Sequence, residues 1–126
     1  MTVLVDSDIL IEVSRARDQD IVSQWLELSR SDGAVLYSPV SVAELWAGAR
    51  ANEHDALNNL FRALTCAPID PEAGRHAGAY LRQYRRSHGV EVADALIAAG
   101  AVLNHADLWT RNRKHYPMKG VSFFEP

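Results

Sequence analysis

Thr2–Val5 runs without a charge or a turn residue straight into Asp6-Ser7-Asp8. A short β-branched and apolar run of this kind predicts a buried strand, and the acids that follow sit where such a strand ends. Similar runs return at Val35–Tyr37, Ala67–Ile69, Asp107–Thr110 and Val121–Phe124, with helical spacing between most of them. Strands that alternate with helices predict an α/β domain around a mainly parallel sheet. Ligands of such sheets bind beyond the carboxyl ends of the strands, at a topological switch point. Asp6 directly follows the first strand, and Thr110-Arg111-Asn112 closes the fourth.

The helices have local signals. Ile9, Leu10, Ile11 and Val13 predict one after Asp8. Asp18 or Asp20 caps a second through about Ser31, with Ile21, Trp25 and Leu28 on one face. Ser41 is expected to open a third, and Ser41-Val42-Ala43-Glu44 fits a capping box. A fourth spans about His54 to Leu64. Asp70-Pro71 supplies a cap and a first-turn proline for a fifth, which Gly89 ends. Val92 or Ala93 begins an alanine-rich helix to about Leu103, and Asn112–Tyr116 reads as one helical turn before Pro117. The chain of 126 residues is 48% hydrophobic and 23% charged, which excludes a disordered or collagen-like polymer. It reads as a single domain, residues 1–126. Its one cysteine, Cys66, excludes an internal disulfide and a cysteine-built zinc site. No apolar run reaches the ~20 residues of a membrane span. Met1–Val5 is too short for a signal peptide, so the expected location is the cytoplasm.

The net charge of −3 is unevenly spread. Residues 1–70 hold eleven acidic and five basic side chains, and residues 71–126 hold five and eight. An acidic half beside a basic one suits a cation site next to a polyanion site. Acids at strand ends suit a hard cation such as Mg²⁺, which takes oxygen ligands. Asp6, Asp8, Glu44 and Asp94 are the candidates; Glu44 competes with its role in the capping box, and Glu91 would repel Asp94 unless a cation neutralises both. Thr110 and Asn112 place a hydroxyl and an amide after a strand, and Arg111, Arg113 and Lys114 follow as groups for a phosphate backbone. Arg75, Arg82 and Arg86 share one face of the fifth helix.

Taken in order, strand-Asp6-x-Asp8, Ser41-x-x-Glu44-Leu45, Asp94-Ala95-Leu96-Ile97-Ala98-Ala99 and Thr110-Arg111-Asn112-x-x-His115-Tyr116 resemble the PIN domain, specifically the VapC-type toxin ribonucleases of toxin–antitoxin pairs. The resemblance covers nearly the whole chain. It implies a three-layer α/β/α sandwich with a central, mainly parallel sheet. It implies a type II toxin that hydrolyses RNA phosphodiesters with one or two Mg²⁺ or Mn²⁺ ions and a metal-activated water, leaving 5′-phosphate and 3′-hydroxyl ends. Position by position, Asp6, Glu44 and Asp94 become metal ligands, and these three with Asn112 become the catalytic set. Many members carry Asp where this chain has Asn112, which lowers the charge of the site by one. Ser7, Thr110, Arg111 and Arg113 become substrate contacts, and Asp8 supports the ligands from behind. The partners implied are RNA, a VapB-type antitoxin and a second copy of the chain, with no membrane.

Other readings of the same residues were a PIN-like interaction module that has lost activity, and a haloacid-dehalogenase-like phosphatase, which shares the strand-Asp-x-Asp start. The phosphatase needs a lysine and a late acidic pair; the only lysines are Lys114 and Lys119, and no such pair follows them. A receiver domain lacks its phosphoacceptor Asp. A dinucleotide fold lacks the glycine-rich loop after the first strand.

Overall fold

The computed structural model describes residues 1–126. Four strands, β1 (Thr2–Val5), β2 (Ala34–Tyr37), β3 (Thr65–Cys66) and β4 (Asp107–Trp109), pair in parallel in the order β3-β2-β1-β4. Leu4 stands beside Leu36 on one side and Leu108 on the other. Successive side chains of a strand point to opposite faces, so β1 feeds two cores. Val3 and Val5 join the core under α1 (Ser7–Arg15), α2 (Gln19–Arg30), α3 (Pro39–Ala47) and α4 (His54–Arg62). Leu4 joins the core under α5 (Pro71–His88) and α6 (Val92–Leu103). This is the three-layer α/β/α sandwich that the resemblance implied. No helix is long and apolar enough to cross a membrane.

Small residues let α6 lie close to the sheet. Ala95, Ala98, Ala99 and Ala101 are fully buried, and a Cβ on Gly100 would stand 3.4 Å from Leu4 Cδ1. The caps follow the sequence at two helices: Asp18 Oδ1 accepts from Asp20 N and Ile21 N, and Asp70 Oδ1 accepts from Ala73 N ahead of Pro71. Glu91, beside Val92, is the capping position of α6.

Three expectations need correction. Ser38, not Ser41, caps α3, accepting from Val40 N at 3.1 Å. Pro39 takes the first helical position because it has no N–H to lose there and its φ is already helical. Ser41 therefore lies inside the helix, fully buried, and its capping box with Glu44 does not form. The third strand is Thr65–Cys66 rather than Ala67–Ile69. Ala67 N still donates to Tyr37 O at 2.8 Å, but β2 ends at Tyr37 and turns through Ser38 into α3, so the residues after Ala67 have no strand left to pair with. Finally, Val121–Phe124 is no full strand. It makes a single parallel bridge, Leu108 to Phe123, through Leu108 N to Ser122 O and Phe124 N to Leu108 O.

The chain leaves β1 outward to β2 and β3, then returns across the sheet to β4 on the other side of β1. The strand order thus reverses between β1 and β4, and the crevice beyond their carboxyl ends lies there. The end of α5 helps to frame it. Gly89 closes that helix at φ 65°, with its N–H on Arg85 O. Gly89→Ala should cost about 1 kcal/mol or somewhat more in a denaturant titration through backbone strain alone, since an added Cβ meets nothing within 4 Å. Gly89→Asn should lose less, because Asn tolerates the left-handed region.

Candidate active site

The buried end of β1 delivers Asp6 to this crevice. Its carboxylate is only 6% exposed and is held by three donors. Ser7 N donates to Oδ1 at 2.7 Å, while Thr110 Oγ1 and Tyr116 Oη donate to Oδ2 at 2.8 and 2.9 Å. Asp6 is also the cap of α1, so a capping role and a site role coexist in one side chain. Tyr116 stays a neutral donor because burial, reinforced by the Asp6 charge, pushes its phenol far above the ordinary value.

Two residues further, Asp8 Oδ2 accepts from Arg111 N at 2.9 Å and from Asn112 Nδ2 at 3.3 Å. Its other oxygen, Oδ1, is buried without any partner. Burial, and next the neighbouring Asp6 charge, raise the Asp8 pKa above the usual carboxylate value. Asp94, in the first turn of α6, accepts from Glu91 N through Oδ2, while its Oδ1 lies 3.8 Å from His115 Nδ1. Burial raises its pKa as well, against the opposing effects of the Glu91 N–H and His115. From α3, Glu44 Oε1 accepts from Ser7 Oγ at 2.7 Å, and Ser7 Oγ lies 2.8 Å from Ser41 Oγ. The Ser7 hydroxyl has one proton. If it goes to ionised Glu44, Ser41 must be the donor in the second contact.

Asp6, Asp8, Glu44, Glu91 and Asp94 line one open cavity of about 370 Å³, together with Ser7, Asn112, His88, His115 and Tyr116. The sequence-predicted acids thus come together from β1–α1, α3 and α6. No three of the acidic or histidine side chains enclose an ion by themselves. The donor set still fits a Mg²⁺-like cation, which is typically held by one or two carboxylates and keeps several waters. Oδ1 of Asp6 has an electron pair free, Asp94 Oδ1 has only the distant His115, and Asp8 Oδ1 has nothing.

The proposed substrate contacts separate into two groups. Ser7 lines the cavity. Thr110 is buried and turned onto Asp6, and its oxygen also accepts from Asn112 N at 3.0 Å. The Arg111 side chain points to α1 and α2, 3.7 Å from Glu12 and 3.6 Å from Asp18, so its backbone rather than its guanidinium serves the cluster. Arg113 pairs with Glu125 at 2.9 Å and stacks over Phe123. Sequence reasoning missed Tyr116, Ser41 and the two histidines as members of the site. A signal existed for Ser41, because Ser38-Pro39 is itself a cap and first-turn pair that displaces it inward. Tyr116 closes the Thr110-Arg111-Asn112-x-x-His115-Tyr116 motif, but its partner stands 110 residues away and no local spacing shows the contact.

A parallel α/β/α sandwich with an acidic cavity at its switch point is the frame of a PIN domain, and the model of the PIN domain family matches residues 3–120. This chain belongs to that family, among its VapC members. It is 38% identical over 117 residues to ribonuclease VapC10 of Mycobacterium tuberculosis, which covers 92% of this chain and 86% of the relative. It is 35% identical over 113 residues to ribonuclease VapC19 of the same species, with 88% and 90% covered. Among solved structures, VapBC2 of Rickettsia felis bound to a promoter DNA fragment superposes with a TM-score of 0.82 at 18% identity over 98% of both chains. A toxin–antitoxin complex from Klebsiella pneumoniae gives 0.74 at 24% identity, over 98% of this chain and 99% of that one.

The raised pKa of Asp8 has a thermodynamic consequence. A carboxyl whose pKa is higher in the folded than in the unfolded chain destabilises the ionised protein. That penalty is full above the folded pKa and vanishes below the unfolded one. Asp8→Asn keeps an oxygen for Arg111 N and Asn112 Nδ2 but carries no charge. In EDTA it should melt a few degrees above the parent chain at pH 7, and the advantage should shrink as pH falls through the carboxylate range. Thermal melts across pH check this; an equal or lower melting temperature at pH 7 contradicts it.

Proposed function

We propose that this chain is a Mg²⁺- or Mn²⁺-dependent endoribonuclease and the toxin of a type II toxin–antitoxin pair, working in the cytoplasm. The observation that carries the reading is the convergence of Asp6, Asp8, Glu44 and Asp94 on one cavity at the switch point of the sheet. Like charges crowded in a partly desolvated site call for a cation. The names of its VapC relatives support RNA as the substrate.

Asp6, Asp94 and Glu44 would hold the cation. When bound, such an ion lowers the pKa of a water and neutralises charge on the phosphoryl oxygens. Asp6, fixed by three donors, sets the position of the site. Glu44, which accepts from the Ser7 hydroxyl, would supply the third carboxylate. Asn112 donates to Asp8 and adds no negative charge, so the scissile phosphate meets one repulsion fewer. Water adds to phosphorus in line, the bond to the 3′ oxygen breaks, and the products carry 5′-phosphate and 3′-hydroxyl ends.

The exposed face of α5 supports backbone binding: Arg75, Arg82, Arg85 and Arg86 make no ion pair within the chain. Arg113 and Lys114 lie exposed on the β4 side. A VapB-type antitoxin and a second copy of the chain complete the proposed assembly; the former is supported by the toxin–antitoxin complexes that share the fold.

Purified protein should cut total cellular RNA into discrete fragments in Mn²⁺ or Mg²⁺ and not in EDTA. Asp94→Asn should reduce the rate at least ~100-fold, the scale of losing one strong electrostatic contact to the reacting groups, while its circular dichroism stays that of the parent. Full activity in the variant would remove Asp94 from the ligand set. No cleavage together with no Mn²⁺-induced rise in melting temperature would point instead to an inactive interaction module.

A further inference from the structure

Asp6 has one free electron pair to offer a cation, not two oxygens. A carboxylate accepts about four hydrogen bonds, two at each oxygen. Thr110 Oγ1 at 2.8 Å and Tyr116 Oη at 2.9 Å fill Oδ2. Ser7 N at 2.7 Å takes half of Oδ1. The donors on Oδ2 are fixed. Thr110 is 7% exposed and Tyr116 4%, and the Tyr116 ring belongs to the core shared with Tyr84 and Met118. Each hydroxyl donates to Asp6 alone. Asp8 repeats the pattern: Arg111 N and Asn112 Nδ2 fill its Oδ2, while Oδ1 is left bare. In both carboxylates Oδ2 carries two protein donors, while Oδ1 carries one in Asp6 and none in Asp8.

We propose that Tyr116 and Thr110 set the cation selectivity of the site by confining Asp6 to ligation through a single oxygen. The proposal rests on the reading of the cavity as a divalent-cation site. Ca²⁺ gathers about six to eight oxygens and often takes both from one carboxylate, whereas Mg²⁺ demands near-octahedral geometry at about 2.0–2.1 Å and fills its shell with water. Denying a cation the second oxygen of the anchoring carboxylate handicaps Ca²⁺ and leaves Mg²⁺ and Mn²⁺ untouched. Tyr116 and Thr110 are positioning residues in this scheme, since they touch the ligand and not the ion.

Tyr116→Phe keeps the buried ring and removes the donor. A water that enters in its place can be displaced by an ion, as the phenol cannot. Titration calorimetry of the metal-free full-length chain with MgCl₂, MnCl₂ and CaCl₂, without RNA, reads the effect directly. The parent chain should bind Mg²⁺ and Mn²⁺ more tightly than Ca²⁺. In Tyr116→Phe the Ca²⁺ to Mg²⁺ affinity ratio should rise on the order of tenfold, the worth of one hydrogen bond to a charged group. Thr110→Val should shift the ratio the same way, and Thr110→Ser, which retains the hydroxyl, should restore the parent value. Folded Tyr116→Phe and Thr110→Val with an unchanged ratio would overturn the selectivity role and leave the nuclease reading intact. A parent chain that binds none of the three cations would overturn both.

Discussion

The buried carboxylate of Asp6 and its three donors hold the functional edge of this protein together. An ionised group this far from water costs several kcal/mol unless hydrogen bonds replace its hydration. Here the replacements come from the start of α1, from the residue after β4 and from the segment after the turn at 113–115. Thr110 and Tyr116 stand 104 and 110 residues away in the chain. By satisfying Asp6 they also close the sheet's outer pair, β1 with β4, at the end where the strand order reverses. The site and the β1–β4 junction thus share the Thr110 and Tyr116 contacts.

Charge opposes stability at the same place. Five carboxylates share one cavity, and burial raises the pKa of two of them, Asp8 and Asp94. The hydrogen bonds that offset the repulsion come from neutral donors: the Ser7 hydroxyl on Glu44, the Asn112 amide and Arg111 N on Asp8, and Glu91 N on Asp94. Arg111, the nearest guanidinium in sequence, turns away to Glu12 and Asp18. A fixed arginine in the cavity would neutralise the acids and compete with an incoming ion. The offset is incomplete at Asp8 Oδ1, which is buried without a partner.

Much of the frame was legible in the order of residues because its causes are local. β1 shows as an uncharged β-branched run, α2 and α5 as caps followed by helical spacing, and the switch-point location of Asp6 and Thr110 follows from alternating strands and helices. The errors arose where two local signals competed or where a partner was absent. Ser38-Pro39 and Ser41-x-x-Glu44 are both acceptable helix starts, and the proline decides between them. The Val121–Phe124 run has strand composition, yet β4 is only three residues long and accepts a single bridge.

The sequence by itself determined which residues carry charge at which strand ends, and so the chemistry on offer: hard oxygen ligands beside a phosphate-binding flank. Only the tertiary structure decided how each of those groups is used. It set the Thr110 hydroxyl on Asp6, and it aimed the Arg111 side chain at Glu12 and Asp18. It also gave contacts to Tyr116 and Ser41, which stood in the motifs without a role of their own: Tyr116 donates to Asp6 and Ser41 meets Ser7. The reason is physical. Backbone conformation follows from neighbours a few residues away, whereas the direction of a side chain and the free electron pairs of a carboxylate follow from partners that meet only after the chain has closed on itself.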